Sequence, residues 1–336
     1  MEHTSHDIAC YGGFVTDEQD LMSSTSGGIA TALARTAIAM GGVVAGVTYS
    51  DDFYHAQYYI ARREEELSRF KGSKYVEVQH GSIYSDVKAL LEQGTFVLFF
   101  GLPCTVAALR KYVGGDRENL MTVELICNGP ALAEVHRQYI EHLEKKYKSK
   151  IVDFAVRRKE GTWMPGYLYA RFENGKVFNR PFYSTEYWYA FSVTTRQSCY
   201  QCRFRGDNRT GDIMIGDYLN AGKNDPFWNE KGVSAILVHT QKGLEFLNAT
   251  QGIRLFDTTF EHILKGNKNI LNPRPTSPVK ETFEALFAQH GLFYATSHTM
   301  SFKTKFKRRV LMMIPARFRH NVKKAFGRLV KKLKGK

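Results

Sequence analysis

Residues 95–113 read TFVLFFGLPCTVAALRKYV, an apolar run that turns sharply into a helical pattern. The run TFVLFF at 95–100 predicts a buried strand, which ends in Gly101-Leu102-Pro103-Cys104 before a helix predicted over 104–112. A helix predicted at 82–93 precedes this unit, and a strand predicted at 121–126 follows it. Alternation of apolar strands with helices is typical of a partly parallel sheet with flanking helices.

The same alternation of helices and strands is predicted towards the N-terminus. Further along the chain the pattern is that of antiparallel strands. Residues 27–47 predict a buried helix and then a strand; Arg35 and the pair Gly41-Gly42 interrupt them, so no membrane span is expected here. Residues 151–184 alternate around Asn174-Gly175, which predicts an antiparallel hairpin region. Further predicted elements are strands at 212–216 and 233–238, helices at 242–250 and 279–290, and an irregular surface segment at 264–278. The fold class expected is therefore mixed α/β.

The net charge of +14 is concentrated at the C-terminus. Residues 301–336 contain fourteen Lys and Arg and no acidic residue, which leaves 33 basic and 33 acidic residues in the other 300. Within 316–334, apolar residues at helical spacing predict a basic amphipathic C-terminal helix. They are Phe318, Val322, Phe326, Leu329 and Leu333.

A basic amphipathic helix is typical of an anchor on an anionic membrane surface, here through residues 302–336. Docking of the helix on an acidic partner or on the body of the protein stays open. No nucleic-acid partner is expected, because no recognisable reading module accompanies the charge.

The start of the chain, MEHTSHDIACYGG, lacks the basic and apolar regions of a signal peptide. We therefore expect a cytoplasmic protein, peripheral on the inner membrane face if the basic tail binds lipid. Its five cysteines are then expected to be reduced thiols or metal ligands and not a disulfide framework.

One Cys-x-x-Cys, formed by Cys199 and Cys202, supplies half of a tetrahedral thiolate site. Cys104 and Cys127 each follow a predicted buried strand, and parallel strands bring such loops to one edge of a sheet. The sequence therefore predicts four converging thiolates, although a lone cysteine is also typical of a small buried side chain. Scattered thiolate ligands favour a [4Fe–4S] cluster over zinc, which stays open. Cys10 is predicted to be a free or packing thiol.

Two shorter stretches are weaker indications of phosphate binding. SSTSGG at 23–28 offers backbone N–H groups and hydroxyls before a predicted helix, which suits a phosphate or an ordinary helix N-cap. FKGSKYV at 70–76 places Lys71 and Lys74 around Gly-Ser, where an exposed turn is the alternative.

Charged residues follow the cysteine pair closely. Arg203, Arg205 and Arg209 either attract an anion, balance the charge of a cluster or are simply solvated. Asp212 and Asp217 either orient loops, contact a flavin or occupy ordinary turns at strand ends.

Eight stretches, collinear over about residues 10–290, carry a family resemblance. They are SSTSGGIATALA, GGVVAGVTYSDDF, FKGSKYV, VLFFGLPCTVAALRKYV, LMTVELICNGPA, SCYQCRFRGDNRTGDIMIGDY, KGVSAILVHTQKG and GNKNILNPRPTSPVKETFEAL. Through them the chain resembles the beta-subunit family of coenzyme F420 hydrogenases and dehydrogenases. These are flavin and iron–sulfur proteins that reduce a deazaflavin or its relatives.

The resemblance implies two cofactors, an FAD and one [4Fe–4S] cluster close to it. The residues implied for the FAD are Ser26, Gly27, Gly28, Lys71, Ser73, Lys74, Tyr75 and Gly101. Those implied for the cluster are Cys104, Cys127, Cys199 and Cys202. The corresponding domains are a flavin-binding segment at 1–80, a domain with the cysteines at 81–295 and the basic tail at 296–336.

The sequence departs from the family pattern in two places. The N-terminal ferredoxin-like segment of many relatives is missing, so electrons are expected from a separate, ferredoxin-like donor. The family's Cys-His-Gly appears as Cys127-Asn128-Gly129, and Asn128 cannot titrate as a histidine does.

The function expected is a flavin- and cluster-dependent oxidoreductase, because no amino-acid side chain performs hydride chemistry. Its substrate would be deazaflavin-like or another small molecule, with a possible link to polysaccharide biosynthesis. Two alternatives stay open: a zinc-stabilised scaffold at the membrane surface, and a degenerate family member without electron transfer.

Overall fold

The structure, a computed structural model, describes residues 8–206, 209–302 and 304–306. The amphipathic helix predicted at 316–334 lies outside these residues. The strands are β1 (Ala9–Val15), β2 (Val43–Tyr49), β3 (Ala56–Ala61), β4 (Val78–Gln79), β5 (Val97–Gly101), β6 (Leu120–Leu125), β7 (Ile151–Glu160), β8 (Thr162–Phe172), β9 (Val177–Pro181), β10 (Ile213–Asp217), β11 (Ser234–Val238) and β12 (Ile253–Asp257).

The helices complete the framework. The α-helices are α1 (Glu18–Ser23), α2 (Ile29–Ala39), α3 (Ile83–Glu92), α4 (Pro103–Tyr112), α5 (Ala133–Tyr147), α6 (Glu186–Val193), α7 (Gln241–Ala249), α8 (Phe260–Gly266), α9 (Lys280–His290) and α10 (Leu292–Thr299). Shorter 3₁₀ helices lie at Glu64–Phe70, Phe182–Ser184, Gln197–Gln201 and Lys268–Ile270. In the part of the chain that the structure describes, no helix is long and apolar enough to cross a membrane.

A large mixed sheet forms the centre, in the order β12-β1-β11-β10-β6-β5-β2-β3-β4. The strands β10, β6, β5 and β2 run parallel to one another. On one side β11, β1 and β12 pair antiparallel, and on the other β3 pairs antiparallel with β2. The predicted mixed α/β fold with a partly parallel sheet is therefore confirmed.

Helices cover both faces of this sheet. Leu98 of β5 packs with α2 and α7, whereas its neighbours Val97 and Phe99 pack with α3 and α4. Because successive side chains of a strand point to opposite faces, a strand covered on both sides is apolar throughout. This double covering explains the unbroken apolar run of β5.

The predicted antiparallel hairpin region is a separate sheet of β7, β8 and β9. Gly175 has φ of +77° and donates its N–H to the Phe172 carbonyl at 2.9 Å, which closes the Asn174-Gly175 turn between β8 and β9. This sheet packs with α5, α6, α9 and α10 around a second apolar core.

Two regions differ from the sequence-based prediction. The segment 264–278 is not irregular throughout, because it contains the end of α8 and the 3₁₀ helix at Lys268–Ile270. The buried Asn267 fixes it by donating from Nδ2 to the Asp217 carbonyl at 3.0 Å. The long helix α5 was not predicted. Strands from residues 1–80 and 81–295 pair in one sheet, and the proposed domain division stays a prediction.

Candidate functional site

The four cysteines Cys104, Cys127, Cys199 and Cys202 line one cavity. Cys104 lies in the first turn of α4, directly after β5, and Cys127 follows the end of β6. Since β5 and β6 are parallel neighbours, their carboxyl ends meet at one edge of the sheet. The other two come from the 3₁₀ helix at Gln197–Gln201 and the residue after it. The cysteines are thus adjacent, while their role as ligands stays a prediction.

Two cysteine-bearing loops contact each other directly at this cavity. Gly129 has φ of +83°, and a Cβ there would lie 2.6 Å from Thr195 Oγ1 and 3.3 Å from the Cys199 Cβ. No side chain fits this approach, so the position requires glycine. Thr195 Oγ1 also donates to the Pro130 carbonyl at 2.6 Å. The loop after β6 and the loop of the cysteine pair are therefore packed together by the protein itself.

Buried carboxylates hold the segment between the cysteine pair and β10. Glu124 Oε1 accepts from the N–H groups of Thr210 at 3.1 Å and Gly211 at 2.7 Å. Asp212 is fully buried and pairs with Arg110 at 2.9 Å. Asp212 therefore orients a loop, one of the roles predicted for it. Glu124 was not predicted, because its partners lie almost ninety residues away.

Thiols and arginines give the cavity its chemical character. Besides the cysteines, its lining is Pro103, Ile126, Gly129, Arg196, Phe204, Arg205, Arg209, Met214, Asn269 and Ile270. Among these described residues there is no Asp, Glu or His. Arg203 is exposed and lies outside the lining. Within the described ranges, no three His, Cys, Asp or Glu side chains form a group that could hold a single metal ion.

The 3₁₀ helix at Lys268–Ile270 closes the cavity on one side. Arg205 donates to the Asn269 carbonyl, and Arg209 donates to the Ile270 carbonyl. Asn269 Nδ2 in turn donates to the Cys127 carbonyl at 3.0 Å. Two of the three arginines predicted around the cysteine pair are thus held at the cavity by backbone carbonyl groups.

Burial makes the Cys127 thiol less acidic. Removal from water raises the pKa of Cys127 to about 11, while the Gly129 N–H, which donates to its Sγ at 3.2 Å, favours the thiolate. Metal ligation requires the deprotonated thiol. The N–H···S hydrogen bond is therefore of the kind that supports a bound thiolate and tunes a cluster.

A second, larger cleft of about 1110 Å³ opens beside the N-terminal Ser/Thr cluster. Its lining includes Ser23, Ser24, Thr25, Lys71 and Lys74, together with residues 151–159 of β7. The volume suits a ligand of dinucleotide size. The cleft shares no described lining residue with the cysteine cavity.

Ser26, Gly27 and Gly28 lie next to the cleft and pack inwards. A Cβ on Gly27 would lie 2.3 Å from the Gly13 carbonyl oxygen. Gly28 has φ of +83° and precedes the first turn of α2. Ser26 Oγ donates to the Val233 carbonyl at 2.7 Å. These three predicted flavin contacts are thus engaged with the protein and are outside the cleft lining described by the structure.

Lys71 and Ser73 join their loop to the Ser/Thr cluster. Lys71 Nζ donates to Asp20 Oδ1 at 2.9 Å and to Ser23 Oγ at 2.8 Å. Ser73 Oγ donates to Thr25 Oγ1 at 3.1 Å. The two stretches singled out in the sequence as phosphate-binding candidates are therefore in contact with each other.

Lys74 shapes the loop that carries it. Its Nζ donates to the backbone carbonyls of residues 69–72, at distances from 2.9 to 3.2 Å. Four carbonyl oxygens around one ammonium fix the path of the chain along the cleft. Lys74 thus lines the cleft with its charge already bound by its own loop.

Tyr75 and Gly101 complete the set of predicted flavin contacts, and both lie outside the cleft lining that is described. The ring of Tyr75 stacks on Phe182 with the centroids 5.6 Å apart. A Cβ on Gly101 would lie 2.9 Å from the Phe99 ring and 3.3 Å from the Tyr58 hydroxyl. Gly101 therefore serves the close packing of the turn into α4.

Arg157 is a buried charged residue that the sequence did not reveal. It is 5% exposed, has φ of +62° in a bulge of β7, and pairs with Asp217. Its Nη1 donates to the Tyr75 hydroxyl at 2.8 Å. A Cβ on Gly166 would lie 2.9 Å from the Arg157 Cα, so the bulge depends on glycine opposite it. Arg157 therefore contacts three separate parts of the chain, at Tyr75, Gly166 and Asp217.

Lys159 is a second buried cation that the sequence did not reveal. Its Nζ donates to the carbonyls of Leu21 at 2.6 Å and Ser26 at 2.5 Å. Burial lowers the pKa of the ammonium to about 7, partly offset by Asp217. Lys159 thereby ties β7 to the Ser/Thr cluster.

Residues 71–77, here called the strap, join the cleft to the cysteine cavity. Its first part lines the cleft. At its other end Val76 forms a parallel bridge with Ala131, and Glu77 donates its N–H to the Ala131 carbonyl at 3.0 Å. Glu77 Oε1 lies 3.6 Å from Arg196 Nε, which lines the cysteine cavity. An extended segment of this length spans at most roughly 25 Å, so the two sites are close.

Asn128 and Cys10 both lie outside the described lining of the cysteine cavity. Asn128 is exposed and is outside the described cavity lining. Cys10 lies in β1 and packs in an apolar cluster on another part of the sheet, consistent with a packing thiol.

Comparison with known proteins gave two family matches. Residues 10–84 match the N-terminal family model of the coenzyme F420 hydrogenase/dehydrogenase beta subunit, and residues 95–258 match the C-terminal model of the same family. No curated protein matched the sequence.

One similar solved structure is a chain of the F420-reducing [NiFe] hydrogenase complex from Methanosarcina barkeri. Its TM-score is 0.56 at 18% sequence identity, covering 86% of this chain and 96% of that one. At this identity the likeness concerns the fold.

Proposed function

We propose that this chain, which belongs to the coenzyme F420 hydrogenase/dehydrogenase beta-subunit family, is a redox enzyme with one [4Fe–4S] cluster and one FAD. The two matches span residues 10–84 and 95–258 and support an oxidoreductase role. The observation that carries the cofactor proposal is the meeting of four cysteines on one cavity.

The chemistry of the cavity fits an iron–sulfur cluster. Four thiols are the donors that such a cluster uses, and no described lining residue offers a carboxylate or imidazole as a competing ligand. A single zinc ion needs all its ligands within about 2.3 Å of one point. Scattered thiolate ligands, two of them single residues from separate loops, favour the cluster over zinc.

The cleft fits a dinucleotide cofactor through its size and its polar walls. Its lining combines hydroxyl groups of Ser23, Ser24 and Thr25 with the cationic residues Lys71 and Lys74. Hydroxyls and backbone N–H groups before α2 suit phosphates. Of the FAD residues expected from the family, Lys71 and Lys74 line the cleft, and Gly101 packs the turn into α4. The other five adjoin residues of the cleft lining: Ser26, Gly27, Gly28, Ser73 and Tyr75.

When bound, FAD supplies the exchange between two-electron hydride chemistry and single electrons. The chain itself contributes the scaffold that would position the two cofactors. Lys159 fixes the Ser/Thr cluster against β7, and Arg157 fixes Tyr75 of the strap against Asp217. The strap runs from the lining of the cleft to the loop after Cys127. Such preorganisation is what a rigid scaffold adds to a redox cofactor.

The substrate proposed is a deazaflavin-like or other small molecule, in a reaction linked to polysaccharide biosynthesis. The electron donor proposed is a ferredoxin-like protein. Both proposals rest on the family resemblance.

We also propose a cytoplasmic location at an anionic membrane surface, reached through residues 302–336. Phe302 is 80% exposed and Phe306 is 59% exposed, at the start of the basic segment. Exposed aromatic side chains beside Lys and Arg are typical of interfacial binding. Flotation with vesicles of anionic and of neutral lipid tests this proposal, which predicts binding to the anionic vesicles alone.

Anaerobic purification followed by an absorbance spectrum and counts of iron, sulfide, zinc and flavin tests the cofactor proposal. We expect about four irons and four sulfides, as in one cubane cluster, with about one FAD per chain. Cys199→Ser should lose most of the iron, whereas Cys10→Ser should retain it. One zinc per chain without iron or flavin would support the zinc-stabilised scaffold. Flavin without iron would support the degenerate family member. Either result would overturn the proposed cluster.

A further inference from the structure

Two arginines that line the cysteine cavity have buried N–H groups without a protein acceptor. In the described part of the chain, Arg196 Nε and Arg205 Nε are buried and make no hydrogen bond, and the same holds for Arg274 Nη1, which belongs to a residue outside the described lining. The nearest carboxylate to Arg196 Nε is Glu77, at 3.6 Å, which is an ion-pair distance and not a hydrogen bond. An unsatisfied buried donor is costly, so two in the lining of one cavity indicate an acceptor that belongs there.

The remaining N–H groups hold these guanidinium groups in place. Arg205 donates through Nη1 to the Asn269 carbonyl, and Arg274 donates through Nη2 to the Phe191 carbonyl. Arg274 also stacks on the Phe191 ring, with its Cζ 5.3 Å from the centroid. Arg274 is 7% exposed. These cations are therefore fixed by neutral partners, and their charge is left for the cavity.

The described lining of the cavity is cationic. Arg196, Arg205 and Arg209 belong to it, and it has no acidic side chain. Outside the lining, Glu77 pairs with Arg196 at 3.6 Å. A cluster held by four thiolates is anionic and presents many sulfur acceptors, so it complements this positive charge.

We propose that Arg196 and Arg205 donate hydrogen bonds to the sulfur atoms of the cluster, that Arg274 adds positive charge from outside the described lining, and that these residues raise the reduction potential of the cluster. This inference rests on the proposed function. Uptake of one electron adds one negative charge to the cluster and its thiolates, and nearby positive charge stabilises that reduced form. Charge and hydrogen bonds to sulfur are established determinants of cluster potentials. The cluster therefore accepts its electron from a less strongly reducing donor than it would without the arginines.

An anaerobic redox titration of the full chain, followed by electron paramagnetic resonance of the reduced cluster, tests the proposal. Arg205→Gln removes the charge and should shift the midpoint to more negative potential. A tenfold change in the reduction equilibrium corresponds to about 59 mV for one electron, which is the shift expected. Arg205→Lys, which keeps the charge, should shift it less. Arg137→Gln removes an exposed arginine of α5 and should not shift it.

The outcomes separate this inference from the proposed function. A wild-type chain without iron would overturn the proposed function itself. An Arg205→Gln chain with full iron and sulfide and an unchanged midpoint would overturn the role of the arginines alone. If Arg205→Gln loads no cluster, Arg196→Gln provides the same titration, with the same negative shift expected and an unchanged midpoint contradicting the proposal.

Discussion

Arg157 donates from Nη1 to the Tyr75 hydroxyl at 2.8 Å, and the same guanidinium pairs with Asp217. Tyr75 belongs to the strap, Arg157 to a bulge in β7, and Asp217 to the end of β10. One buried cation thus holds together the cleft wall, the antiparallel sheet and the segment that follows the cysteine pair. Its positive φ of +62° is a strained conformation that the surrounding contacts maintain.

Asp217→Asn should destabilise the protein strongly, because it leaves the Arg157 charge buried without its partner. Removal of one member of a buried ion pair costs about 3–5 kcal/mol. Chemical denaturation would measure the free energy of unfolding. As a control, Glu134→Gln weakens the exposed pairing of Arg137 and should cost less than about 1 kcal/mol. Similar losses for both variants would contradict the structural role of Arg157.

Lys159→Met should change how stability depends on pH. Burial lowers the pKa of Lys159 to about 7, whereas an unfolded lysine titrates near about 10.4. Between these values the unfolded chain binds more protons, so the wild-type free energy of unfolding rises with pH by up to about 1.4 kcal/mol per unit. The variant should show a smaller rise in urea unfolding curves, because Lys74, whose pKa burial also lowers to about 7, keeps its own share. Lys88→Met, at an exposed lysine, should retain the full wild-type rise; parallel pH profiles for all three proteins would argue against a buried Lys159 ammonium.

Gly27→Ala should destabilise the fold through a backbone clash. The new methyl would lie 2.3 Å from the Gly13 carbonyl oxygen and 2.6 Å from the Ser234 nitrogen. Overpacking of this kind costs about 1–3 kcal/mol or more. Gly222→Ala meets its nearest atom only at 3.6 Å and should be nearly neutral. Thermal unfolding of the two variants compares them, and equal melting temperatures would disagree with the packing of Gly27.

Thr195→Val should loosen the two cysteine loops. It removes the hydroxyl that donates to the Pro130 carbonyl at 2.6 Å, and it leaves that carbonyl without this partner. Loss of one buried hydrogen bond costs about 1–3 kcal/mol. We expect iron to be lost faster to a chelator, followed by the decay of visible absorbance. Thr299→Val removes an intrahelical bond in α10 and the bond that Thr299 accepts from the Tyr189 hydroxyl, away from the cysteine loops. It is the control and should leave the rate of iron loss unchanged.

Local sequence patterns were enough to predict the partly parallel sheet and the position of Cys104 and Cys127 at one edge of it. The strand β5 is covered on both faces, so its apolar run is visible without knowledge of its neighbours. Cys104 and Cys127 follow parallel strands, and the direction of those strands alone places them at one edge. Here local sequence and tertiary position are directly linked.

Most features that were not predicted depend on contacts with residues that are distant in the sequence. Arg157 and Lys159 look like an ordinary charged run, and their burial depends on Asp217 and on carbonyls more than a hundred residues away. Helix α5 differs, since Val135, Tyr139 and Leu143 fall at helical spacing and pack in the second core. This periodicity is a local pattern and is enough to predict the helix.

The strap has a thermodynamic consequence. It binds the Ser/Thr cluster at one end and the loop after Cys127 at the other. A ligand in the cleft that shifted the strap would change the affinity at the cysteine cavity, and the reverse effect would have the same size. Under the proposed function, we therefore expect the loading of FAD and the loading of the cluster to be coupled through residues 71–77.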